Sequence, residues 1–142
     1  MSQENLEVVR RIYDAAPEIQ QVLRGGGDLG QHEWLSLWHP ECTLEELAEV
    51  PDPASYRGRA GVAAYFRRAF DEVWDEWDFV PQEMTDGPKG VFVVVANRGR
   101  SRSGVEVKMQ IFQTFLVRDG MVVHAAGYLD RAAALKAVGL EE

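Results

Sequence analysis

The stretch Val105 to Val117 alternates strictly, with Val105, Val107, Met109, Ile111, Gln113, Phe115 and Val117 on one side. A sustained period of two selects a strand over a helix. The Asp119-Gly120 turn leads into a second such run, Met121 to Leu129, and Val91 to Arg98 ahead of it is rich in β-branched residues. Cys42 to Val50, bounded by Pro51 and Pro53, and Asp78 to Thr85, bounded by Asp86, Gly87 and Pro88, read as two further strands. Strands clustered late and joined by tight turns predict an antiparallel meander in an α+β domain rather than alternating βαβ units.

A sheet with one apolar face needs helices to cover it. Leu6, Val9, Ile12, Tyr13 and Ala16 recur at helical spacing from Asn5 onward, until Pro17 ends or kinks the helix. Glu18 to Leu23 adds a turn or two before Gly25, Gly26 and Gly27 stop it. A second short helix is read over Leu29 to Trp38, closed by His39 and Pro40, and a third begins near Ala60 with a stripe of Val62, Phe66, Ala69, Phe70, Val73 and Trp77.

The 142 residues suit one domain, spanning 1–142. With 15 Lys and Arg against 23 Asp and Glu, the net charge of −8 disfavours nucleic acid and anionic membrane surfaces as partners. No uninterrupted apolar run long enough to span a membrane occurs, and the polar, acidic start, Met1 to Glu7, is unlike a secretory signal, so a cytoplasmic location is expected. Cys42 is the single cysteine, which excludes an intramolecular disulfide and a multi-thiolate metal site. His32 and His39 lie seven apart with no third ligand at suitable spacing, so no metal is expected. No phosphate-cradling loop or nucleophilic serine motif appears, and no cofactor is expected. Arg98, Arg100 and Arg102 alternate with Gly99, Ser101 and Ser103, as at a solvated hairpin tip.

Polar residues on apolar strand faces are the candidates for chemistry. Gln113 interrupts the apolar face of its strand, either to contact a ligand or to cap a buried backbone group. Alternation from Cys42 puts Glu46 on a face with Leu44, Ala48 and Val50, where a carboxylate is suited to act as a general base; a register shift would instead expose it beside Glu45 and Glu49. His124 shares a face with Val122, Ala126 and Tyr128, from which it enters the cavity as acid, base or donor, or else is simply hydrogen-bonded or exposed. Tyr13, Trp34, Trp38, Tyr56, Tyr65, Phe115 and Tyr128 are the candidate ligand-binding residues; Trp74 adds to the aromatic set, although helical spacing makes core packing the default for most of it.

Glu4-Asn5 with Val8 to Tyr13, Pro51-Asp52, Tyr56-Arg57-Gly58-Arg59 with Gly61-Val62, Arg98-Gly99-Arg100 with Ser103 to Glu106, and Tyr128 to Arg131 with Ala134-Leu135 and Gly139-Leu140 carry a resemblance over nearly the whole chain. In this order and spacing the sequence resembles the SnoaL-like proteins of the nuclear transport factor 2-like superfamily, related to polyketide cyclases and ketosteroid isomerases. The resemblance implies a cone-shaped, curved, antiparallel to mixed sheet wrapped around N-terminal helices, an α+β barrel of the cystatin-like kind, with an apolar cavity and commonly a homodimer. It also places Glu46 near the isomerases' proton-transferring carboxylate and Gln113 near their oxyanion-stabilising acid. Ile12 falls near their catalytic tyrosine, with Tyr13 one residue along. Near the key acid of the cyclases and epoxide hydrolases this chain has Ala126, Gly127 and Tyr128, so their mechanism is not implied. Pro17 to Gly27 replaces a shorter turn near the expected cavity mouth.

The expectation is therefore a pocket protein for a small apolar or aromatic ligand, with Glu46 and Gln113 facing one oily space. It either transfers a proton on an apolar or polycyclic carbonyl compound or is a non-catalytic binding or dimerisation module of the same fold.

Overall fold

The computed structural model describes residues 2–140 apart from Asp28, Gln31 and Val50. Helices α1 (Ser2–Asp14) and α2 (Ala16–Arg24) are followed by a 3-10 helix, Glu33–Leu37, and by strands β1 (Trp38–Glu45) and β2 (Ser55–Arg57). Helix α3 (Gly58–Glu72) leads into β3 (Trp74–Gly87), β4 (Gly90–Ser101), β5 (Glu106–Arg118) and β6 (Met121–Tyr128), and α4 (Arg131–Ala137) closes the described chain. The α+β class and the late meander are as the sequence predicts.

The six strands form one sheet in the order β2-β1-β6-β5-β4-β3, mixed because β1 runs parallel to β6 while all other pairs are antiparallel. Asp119 (φ 53°) and Gly120 (φ 77°) both take left-handed backbone at the β5–β6 turn, which matches the twist of a two-residue hairpin. Register shifts in β1, in β3 at Pro81/Glu83 and in β6 at Val123, opposite Leu116/Val117, add local twist.

Pro17 does not end the helical region. It sits in the first turn of α2, where its missing N–H breaks no intrahelical bond, so the chain kinks at Ala15 and resumes helix up to Gly25. Two elements depart further from the expectation. Trp38 is a strand residue rather than the end of a helix, and β1 stops at Glu45, so Glu46 lies beyond it; Val50 falls outside the described residues. Helix α3 ends at Glu72, which puts Val73 after it and Trp77 in β3.

The inner face of the sheet packs against α1, α2 and α3 through Val9, Ile12, Ile19, Val62, Phe70 and the β4 residues Val91, Val93 and Val95. Burying each such side chain contributes about 1.5–3 kcal/mol. A smaller cluster on the other face joins α4 and the residue that caps it, through Ala134, Leu135 and Val138, to Phe92, Val94 and Phe112, with Arg131 over both phenylalanine rings at 5.2 and 5.9 Å. Among the described residues no helix is long and apolar enough to cross a membrane.

Candidate functional site

The inner face, α1, the 3-10 helix and α3 enclose a cavity of about 60 Å³. Ile12, Trp34, Trp38, Phe66, Phe79 and Phe115 are among the apolar side chains of its wall. At ~10–15 Å³ per water position, that space holds roughly four to six waters. Drug-sized ligands occupy pockets of about 300–1,000 Å³. The cavity as folded is smaller than the ~150 Å³ that holds a benzene ring, so even a single ring requires wall side chains to move.

Polar groups gather in this aromatic shell. Tyr13, only 5% exposed, donates its hydroxyl to Gln113 Oε1. That bond fixes the amide: with Oε1 occupied, the Gln113 nitrogen offers two N–H donors and bonds to no described residue. On the same face Asn97, 6% exposed, accepts from Trp77 Nε1 at 2.6 Å through Oδ1. Trp34 Nε1 is spent on the Ile12 carbonyl at 3.2 Å. The Trp38 indole N–H is buried with no partner among the described residues.

Burial pushes the Tyr13 phenol well above its ordinary range. Tyr65 is pushed up to about 12 by burial, then by the negative charge of Glu46 and by Tyr56. Both phenols bind their protons more tightly folded than unfolded, so their contribution to stability is intact below the ordinary tyrosine value of 10.0. It is lost as pH rises through the folded values. In an alkaline titration followed by phenolate absorbance and circular dichroism, Tyr13 and Tyr65 are expected to ionise only as the fold opens, with the late component reduced in Tyr13→Phe and Tyr65→Phe. Full ionisation of every tyrosine near its ordinary range, with secondary structure intact, would contradict this.

Glu46 lies in a neighbouring chamber. It lines a second space of about 170 Å³ with Tyr56, Tyr65 and Trp74, and Tyr65 and Trp77 line both chambers. The Glu46 backbone N–H donates to the Ala54 carbonyl at 3.1 Å, and its Oε1 accepts from the Ala54 N–H at 2.8 Å, which holds the carboxylate over the β1–β2 connection. Glu46 and Gln113 thus do not face one enclosed space, because β1 ends one residue before the inward position that alternation predicts.

The structure places the other predicted residues unevenly. Tyr13, Trp34, Trp38, Tyr65 and Phe115 line the inner cavity, whereas Tyr56 lines only the outer chamber. His124 does not enter the cavity: it pairs across the sheet with Thr43 and Leu116, its Nδ1 is 2.7 Å from Thr43 Oγ1, and its Nε2 is 3.4 Å from Glu45. The register shift at Leu116/Val117 puts both Val122 and Ala125 in the core and turns His124 to the other face. Tyr128 packs against the Phe92 and Phe112 cluster instead of a ligand space. Arg98, Arg100 and Arg102 are exposed as expected, and Arg100 pairs with Glu76 at 3.3 Å. Asn97, Trp77 and Phe79 are cavity residues that the sequence reading did not single out. Among the described residues no three His, Cys, Asp or Glu side chains cluster as metal ligands.

The chain belongs to the SnoaL-like domain family, whose match spans residues 9–125. No curated protein matches it. Its fold is that of a nuclear transport factor 2-like protein from Burkholderia pseudomallei, with TM-score 0.70 and 18% identity over 95% of this chain and 97% of that one. Bal32a, from a soil-derived mobile gene cassette, matches with TM-score 0.71 and 17% identity over 96% of this chain and 97% of its own. Rv0760c from Mycobacterium tuberculosis, solved in complex with estradiol-17β-hemisuccinate, matches with TM-score 0.65 and 16% identity over 90% and 95%. At such identities the likeness establishes the fold, and chemistry rests on this chain's own residues.

Proposed function

We propose that this protein binds a small aromatic or apolar carbonyl compound in the inner cavity, with the carbonyl oxygen on the Gln113 amide. The observation that carries this reading is the Tyr13–Gln113 bond within an aromatic wall, which leaves amide N–H donors without a protein partner. A half-buried donor that faces the cavity without a protein partner favours ligands that supply an acceptor over those that do not. The steroid ester held by the Mycobacterium tuberculosis relative supports apolar ring compounds as the class, and the small cavity volume favours the smallest of them, a single ring. An aryl methyl ketone is the direct probe. Gln113→Leu is expected to weaken its binding about tenfold, the value of one lost hydrogen bond. Equal affinity in the variant would remove the amide from the site.

Proton transfer on the bound carbonyl compound is the second reading. It is supported by the charge of Glu46 acting on Tyr65, a residue whose ring lines both chambers. Because Glu46 and Gln113 line different chambers, this reading needs a conjugated substrate that displaces Tyr65 and reaches both: the Glu46 carboxylate takes a proton at one end of the conjugated system while Gln113 hydrogen-bonds the developing oxyanion at the other. Glu46→Gln is then expected to slow turnover of an activated enone at least about tenfold. Unchanged rates leave the non-catalytic binding module.

A further inference from the structure

The outer chamber has a composition of its own. Tyr56 and Tyr65 meet edge to face with centroids 5.3 Å apart, and Trp74 stacks on Trp77 at 5.8 Å with the rings 11° from parallel. These four rings and two carboxylates, Glu46 and Glu72, surround the space of about 170 Å³. Arg68 is its single cation, and it is already engaged: its Nε pairs with Glu72 at 3.3 Å and its Nη1 donates to the Tyr56 hydroxyl at 3.1 Å. That leaves the charge of Glu46 unbalanced. Its Oε1 accepts from the Ala54 N–H, and no described cation pairs with it.

Aromatic faces attract cations through their quadrupoles, and indole does so most strongly. A carboxylate at the same space adds a Coulombic term, and a net charge of −8 favours the approach of cations from solution. A small inorganic ion prefers its hydration shell, whereas an alkylated ammonium spreads its charge over carbons that pack on rings. An anion meets the opposite situation, because the one guanidinium is satisfied and Glu46 repels it.

We infer that the chamber lined by Tyr56, Tyr65, Trp74, Trp77 and Glu46 is a second binding site, and that it takes an organic ammonium group. Because Tyr65 and Trp77 also wall the inner cavity, one ligand with a ring and an ammonium arm can occupy both spaces. The ammonium site itself does not depend on what the inner cavity holds.

Choline chloride is the test probe, with its neutral carbon isostere and sodium chloride as controls, followed by the NMR shifts of the tryptophan indole resonances. Saturable shifts at Trp74 and Trp77 are expected, with the isostere weaker by about tenfold. Glu46→Gln removes charge but not shape and is expected to cost choline, and not the isostere, about tenfold in affinity. Arg68→Gln removes a like charge and frees Glu72, so choline affinity is expected to rise roughly threefold. Three results overturn the assignment: no saturable shift, equal affinity for choline and its isostere, or choline binding insensitive to Glu46→Gln. The aryl ketone titration at Gln113 is read separately, so failure of one site is not failure of the other.

Discussion

Trp38→Ala is expected to lower the unfolding free energy by about 3–5 kcal/mol, the usual cost of truncating a large buried aromatic residue. The side chain is 2% exposed, meets Trp34 edge to face at 5.7 Å and forms part of the cavity wall, so its removal joins an indole-sized void to the existing space. Trp38→Phe behaves differently. The indole N–H is buried with no partner among the described residues, and a buried unsatisfied donor costs about 1–3 kcal/mol. Phenylalanine gives up some packing but removes that donor, so the variant is expected to stay within about 1 kcal/mol of the parent. Chemical denaturation of the three proteins checks both numbers. A Phe variant as unstable as the Ala variant would mean that the N–H is satisfied after all. Indole added to Trp38→Ala is expected to raise its midpoint, because a ligand that binds only the folded state stabilises it by mass action.

Trp38 also shows where sequence patterning reaches its limit. Its burial was legible in the aromatic spacing, but its element was not: tryptophans at positions 34 and 38 fit one turn of helix, and only pairing with β6 makes the second a strand residue. Glu46 failed for a related reason. Cys42 and Leu44 do lie with the core, as alternation requires, but the strand ends at Glu45 so that the chain can turn back to β2. Alternation carries no information past the last paired residue. His124 was misplaced by an extra residue in its own strand, Val123, which the pairing with β5 skips and which no turn or breaker residue marks in the sequence. Trp77 continued the helical stripe by coincidence after the helix had stopped at Glu72.

Other parts were available from local pattern. The α+β class, the β4–β5–β6 meander and the inward Gln113 all follow from a period of two that the structure preserves. Asn97 obeys the same rule as Gln113, since Val91, Val93, Val95 and Asn97 form one face, and it was legible to anyone extending that face by two residues. Gly99 continues it once more: a Cβ there would sit 2.5 Å from the Trp74 ring and 2.6 Å from the Glu76 carbonyl. Glycine at this position is what lets Trp74 lie against β4 and wall the outer chamber.

The inner site is best separated from mere packing by a double-mutant cycle on Tyr13 and Gln113. Gln113→Leu leaves the Tyr13 hydroxyl buried with no acceptor, at an expected cost of about 1–3 kcal/mol in stability. Tyr13→Phe leaves Gln113 Oε1 without a donor, but that amide is only half-buried, so the cost is smaller. The double variant removes both partners and is expected to recover most of the loss, giving a coupling energy of about 1–3 kcal/mol. Ligand binding should divide along another line. Tyr13→Phe keeps the amide donors but releases the amide to rotate, so aryl ketone affinity falls by less than in Gln113→Leu, while the double variant, stable again, stays as weak as Gln113→Leu. Stability and affinity then move apart in the same protein. If both returned together in the double variant, Gln113 would be a packing residue whose polar group touches nothing but Tyr13, and the cavity would have no donor for a carbonyl.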